Sequence, residues 1–108
     1  MNPALLTPIE AQARMAAAAG AFVLVDCREA KELAVASVPG AMHLPMMEVP
    51  ARLAELDKSK EIAVMCHHGM RSGQVAAYLA KMGFQRVASV AGGIDRWSRE
   101  VDSKIPRY

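Results

Sequence analysis

The run Cys66-His67-His68-Gly69-Met70-Arg71-Ser72 places a nucleophile, two imidazoles, a glycine, a guanidinium and a hydroxyl within seven residues. A cysteine attacks as its thiolate, and nearby positive charge favours that form. Gly69 lets the backbone turn tightly, and a helix starting just after it would aim amide N–H groups and a positive dipole end back toward Cys66. Arg71, with His67 or His68 when protonated, would add to the same field. The expected chemistry is therefore a nucleophilic Cys66 at the base of a small anion cradle formed by residues 67–72.

Such a cradle needs a strand to deliver the cysteine and a helix to receive the loop. Ile62-Ala63-Val64-Met65 is an unbroken apolar run ending at Cys66, and Phe22-Val23-Leu24-Val25 is another ending at Asp26. Neither alternates polar with apolar residues, as expected of strands covered on both faces in a parallel sheet. The intervening helices are expected over Glu29–Val35, over Pro50–Leu56 with proline in the first turn, and over Ser72–Met82, where Val75, Ala76, Leu79 and Met82 recur at helical spacing. Thr7, Pro8 and Glu10 form a helix start, with the helix running to about Ala19 and Gly20 ending it. Shorter strands fit Ala41–Leu44 and Arg86–Val90, and a last helix opens after Gly92-Gly93 and includes Ile94 and Trp97. The alternation predicts an α/β domain of three layers, a mainly parallel central sheet flanked by helices on both faces. Ligands of such sheets sit beyond the carboxyl ends of the strands, where Asp26 and Cys66 fall.

Composition narrows the class. The 108 residues are 53% hydrophobic and 22% charged, the balance of a single globular domain over 1–108. No apolar stretch approaches the ~20 residues of a membrane span, and the start of the chain lacks the basic segment of a signal peptide, so a cytoplasmic protein without membrane partners is expected. Residues 1–70 carry 6 basic and 8 acidic groups, whereas residues 71–108 carry 7 and 3. That mild polarity suits small anions. Aromatics at 5% and the absence of a basic stripe argue against nucleic acid. Cys27 and Cys66 are the two cysteines, read as free thiols in a reducing compartment.

These motifs together resemble a single-domain rhodanese of the rhodanese-like sulfurtransferase family. The resemblance is carried by Val25-Asp26-Cys27-Arg28-Glu29, Val38-Pro39-Gly40-Ala41, the loop Cys66 to Ser72, and Gly92-Gly93-Ile94 with Trp97. It implies a rhodanese-like fold and a persulfide on Cys66. It also implies a double displacement in which sulfur from thiosulfate or a similar small anionic donor passes to cyanide or a thiol. Four residues separate Cys66 from Arg71, whereas the related phosphatases and arsenate reductases carry one more, so the smaller cradle favours a single sulfur over a phosphate or arsenate. The chain departs from the family pattern at Ala36-Ser37, where Gly-His is usual, and at Cys27, where an aliphatic residue is usual.

The resemblance implies that Asp26 and Glu29, with Arg28 beside them, brace the loop through hydrogen bonds or by pairing with Arg71. Arg71 is open to a second reading, direct contact with the donor. Cys27 reads as a core thiol, with a resolving role left open. Adjacent Cys66, His67 and His68 lack the spacer of a metal site, and His43 would have to join from elsewhere, so neither metal nor cofactor is expected. Met70 offers an apolar lip to a sulfur-accepting protein. A sulfur-relay module is thus the alternative to a thiosulfate sulfurtransferase, and a phosphatase or arsenate reductase is the least favoured.

Overall fold

The computed structural model describes residues 3–18 and 20–108. Five parallel strands form one sheet, β1 (Ala4–Leu6), β2 (Phe22–Asp26), β3 (Met42–His43), β4 (Glu61–Met65) and β5 (Val87–Val90), in the order β1-β5-β4-β2-β3. Among the described residues, four helices connect or follow them: α1 (Pro8–Ala17), α2 (Ala30–Val35), α3 (Met70–Lys81) and α4 (Gly93–Glu100). The chain leaves β2 toward one edge and β4 toward the other, so the order reverses between these two strands. Their carboxyl ends bound the crevice where open α/β sheets bind ligands.

Strand periodicity sorts the core into two halves. Phe22, Leu24, Ala63, Met65, Ala88 and Val90 face one way and pack with Ala11 of α1, Ile94 and Trp97 of α4, and Ala36 and Val38 after α2. Val25, Cys27, Ile62, Val64 and Cys66 face the other way, against Val75, Ala76 and Leu79 of α3 and against Leu44, Val49 and Leu56. Helices therefore cover both faces, as the apolar strands require.

Local signals explain most boundaries. Thr7 and Glu10 close a reciprocal cap on α1, the Thr7 amide donating to Glu10 Oε1 at 2.9 Å and the Glu10 amide to Thr7 Oγ1 at 3.1 Å. The described part of α1 ends at Ala17; Ala19, the expected end, lies outside the described residues, as do Met1 and Asn2. Helix α3 begins at Met70, two residues before the expected Ser72, so Arg71 and Ser72 belong to its first turn. The helix expected over Pro50–Leu56 is replaced by turns and a short 3-10 segment, Leu53–Glu55, after another at Met46–Glu48. Arg52 ties the two together, donating to Glu48 at 3.0 Å and to Glu55 at 2.8 Å and 2.9 Å. Seven residues are too few for helix propensity to prevail over such local closure. Strand β1 was not expected; it pairs with β5 at an edge, Leu6 opposite Val90.

Candidate active site

Cys66 follows β4 directly and is 1% exposed. The chain then turns through His67, His68 and Gly69 into α3. Gly69 adopts φ +115°, in the left-handed region that glycine tolerates, and its amide donates to Cys66 Sγ at 3.0 Å. The Cys66 thiol in turn donates to Ser72 Oγ across 3.4 Å. Ser72 is fully buried; its hydroxyl donates to the Gly69 carbonyl at 3.2 Å and shares a 2.8 Å hydrogen bond with Ser89 Oγ of β5. The sulfur thus sits at the N-terminus of a twelve-residue helix with an amide pointed at it, a setting that stabilises negative charge on sulfur.

The loop is held from behind by α4. Ile94 N–H donates to the Cys66 carbonyl at 2.8 Å and Asp95 N–H to the His67 carbonyl at 3.2 Å. This approach requires Gly93: at φ +59°, an added Cβ would lie 2.4 Å from both carbonyl oxygens. The Gly92-Gly93 turn therefore does more than end a connection.

Asp26, Arg28 and Glu29 do not form the expected brace on Arg71. Asp26 and Arg28 are both fully buried and pair with each other, Arg28 Nη2 lying 2.6 Å from Asp26 Oδ2 and Nε 2.9 Å from Oδ1. Arg28 also donates to the Ala36 carbonyl at 2.7 Å, the Glu32 carbonyl at 3.4 Å and Tyr108 Oη at 2.7 Å, so all five guanidinium hydrogens have acceptors. Glu29 is exposed, faces Lys31 at 3.5 Å and precedes α2. The carboxylate that holds Arg71 is Glu32, one turn further on, in a bidentate pair of 2.7 Å and 2.9 Å. Arg71 beside it holds the Glu32 carboxyl down to about 2, with help from the Glu29 amide and the Tyr108 hydroxyl. A turn of helix separates the two glutamates, and only the second faces the loop.

The histidines are placed differently from one another. His67 is half-buried, and its ring stacks with His68 at 3.9 Å and with Tyr108 at 3.9 Å, the latter with nearly parallel planes. Its Nε2 is buried without a hydrogen-bond partner among the described residues. His68 is exposed. Ligating atoms of His67, His68 and Asp95 lie within 4.8 Å of one another, but the Asp95 carboxylate is already engaged by Arg107 at 2.9 Å and Arg99 at 3.6 Å. These two cations oppose a third positive charge. Met70 is 79% exposed beside the loop. His43 bonds the Arg28 carbonyl at 2.7 Å through Nε2.

The family model for the rhodanese-like domain matches residues 7–100. The chain belongs to the rhodanese-like domain family. Among its relatives, an Allochromatium vinosum protein named sulfurtransferase is 40% identical over 77 residues, 71% of this chain and 72% of that protein. The putative sulfurtransferase YtwF of Bacillus subtilis is 41% identical over 81 residues, 75% and 78% of the two chains. A rhodanese-related protein of Thermoplasma volcanium shares the fold with a TM-score of 0.81 at 26% identity, covering 91% of this chain and 93% of its own. This rhodanese-like domain is thus similar to sulfur-transfer proteins through most of its length. Glu32, Ser89 and Tyr108 are the residues around its loop that the sequence did not single out. A serine inside the buried run Val87–Val90 was the one available signal.

Proposed function

We propose that this domain is a sulfurtransferase that carries a sulfane sulfur on Cys66. The reading rests on one observation above the rest: a buried cysteine sulfur at the carboxyl end of β4, accepting the Gly69 amide at 3.0 Å at the start of α3. In the first half-reaction the Cys66 thiolate attacks the outer sulfur of thiosulfate. A Cys66 Sγ–S bond forms, the S–S bond of the donor breaks, and sulfite leaves with the bonding pair. Cyanide or a thiol then attacks the terminal sulfur and the Cys66 thiolate departs, so one transfer is divided into two displacements. The loop amides and the α3 dipole offset the terminal sulfur's negative charge where water is excluded.

Glu32 grips the Arg71 guanidinium in its bidentate pair, so the donor anion would meet a cation already fixed in direction. A protein thiol as acceptor is favoured by the apolar lip at Met70, together with Met47, 88% exposed on the groove beside the site. Thiocyanate formation from thiosulfate and cyanide tests the reading. Wild-type protein should produce it and Cys66→Ser should not, and neither should hydrolyse a small aryl phosphate at a comparable rate. Cys66-dependent phosphatase turnover exceeding thiocyanate formation would contradict it.

A further inference from the structure

Cys27 is a buried thiol for which transfer to cyanide has no use, and its position relative to Cys66 is fixed by the sheet. Asp26 stands opposite Met65 in the parallel β2–β4 ladder, and the ladder continues one step, with the Cys27 amide donating to the Met65 carbonyl at 3.0 Å. Cys27 is therefore in register with Cys66. Both side chains belong to the α3-facing half of the core, with Val25 and Val64 one pleat earlier on the same face. Neighbouring strands lie roughly 4.8 Å apart, inside the roughly 4.4–6.8 Å between Cα atoms that a disulfide spans. Each thiol is free and 1% exposed.

We infer that Cys27 discharges the Cys66 persulfide when no acceptor takes the sulfur, releasing it as hydrosulfide and leaving a Cys27–Cys66 disulfide. The inference rests on the sulfurtransferase reading above. The Cys27 sulfur attacks Sγ of the persulfide, a Cys27 Sγ–Cys66 Sγ bond forms, and the bond to the terminal sulfur breaks. The terminal sulfur leaves with both electrons of that bond and with the proton of Cys27. The sulfane sulfur is reduced, the two cysteines are oxidised, and a dithiol reductant returns them to thiols.

Two further features fit this sequence. Burial, followed by the neighbouring Cys66 and Asp26 charges, pushes the Cys27 thiol up to about 12, so it retains the proton that the leaving sulfur needs. A neutral thiol is a poor nucleophile, which makes the discharge slow beside transfer to cyanide. The open groove of about 570 Å³ at this end of the sheet is lined by Cys27, His43, Met46 and Arg71 but not by Cys66. A dithiol entering it approaches the disulfide from the Cys27 side and reaches the sulfur when the wall over the 1% exposed Cys27 opens.

The test loads reduced protein with thiosulfate, removes the donor, and follows intact mass, free sulfide and peptide cross-links under anaerobic conditions without acceptor. The wild type should lose its added sulfur, release one sulfide per molecule discharged, and yield a Cys27–Cys66 cross-link that a dithiol reverses. In Cys27→Ser and Cys27→Ala, two variants of similar size at a buried position, the persulfide should persist at least about tenfold longer. A wild-type persulfide as durable as that of the variants, or sulfide released without the cross-link, would overturn the discharge while leaving sulfur transfer intact. Failure of thiosulfate to load Cys66 at all would contradict the sulfurtransferase reading, and the discharge with it.

Discussion

At the scale of single residues, the site depends on which carboxylate faces which guanidinium. Asp26 and Arg28 share full burial, so truncating one strands the other's charge in a medium that solvates it poorly. Asp26→Ala should cost about 3–5 kcal/mol, read as a lower midpoint in thermal or urea unfolding. A loss well under 1 kcal/mol would mean that Arg28 finds other compensation. The two glutamates of the α2 region provide a sharper contrast, because only Glu32 touches Arg71. Glu32→Gln should slow sulfur loading by about an order of magnitude through a less fixed Arg71, while Glu29→Gln at an exposed position should leave loading near wild type. Equal effects from the two would show that Arg71 does not depend on its partner. The sequence points to Asp26 and Glu29 near the strand end but does not show the helix phase, and one turn of α2 decides between Glu29 and Glu32.

At the scale of elements, the loop is a joint between three of them: β4 delivers Cys66, α3 receives Gly69, and the first turn of α4 holds the Cys66 and His67 carbonyls. Gly93→Ala tests that joint. A left-handed backbone at a non-glycine residue costs about 1–3 kcal/mol, and here the new methyl also collides with the loop carbonyls. The variant should be destabilised and should load sulfur more slowly even where it remains folded, as circular dichroism and loading kinetics would show. Wild-type loading in a destabilised Gly93→Ala would separate α4 from the site. Much of this level was legible beforehand, because the apolar runs of β2 and β4, the Thr7–Glu10 cap and the periodicity of α3 are local signals. Strand β1 was not, since three residues at an edge carry no period of their own. The 3-10 segments were missed for a related reason: Pro50 reads as a helix start, whereas the Arg52 pairs that fold the segment become apparent only in three dimensions.

At the scale of the whole molecule, the site is tied together by contacts between distant parts of the chain. Tyr108 lies 80 positions beyond Arg28 yet accepts its hydrogen bond, donates to Glu32 at 3.0 Å and stacks on His67. No sequence period announces such a contact. The network also sets a pH dependence. The Glu32 carboxyl is held at about 2 in the fold against an ordinary value of 4.5, so its contribution is complete above the ordinary value and is lost as pH falls toward 2. Glu32→Gln should narrow the stability difference between pH 6 and pH 3 in urea titrations, and an unchanged difference would assign acid sensitivity to other groups. The most direct test of the central claim is the intact mass of the purified, reduced protein before and after thiosulfate, and again after cyanide. Wild type should gain the mass of a single sulfur atom and lose it to cyanide, while Cys66→Ser gains none. An equal gain in Cys66→Ser, or no gain in a folded wild type, would contradict the assignment of Cys66 as the sulfur carrier.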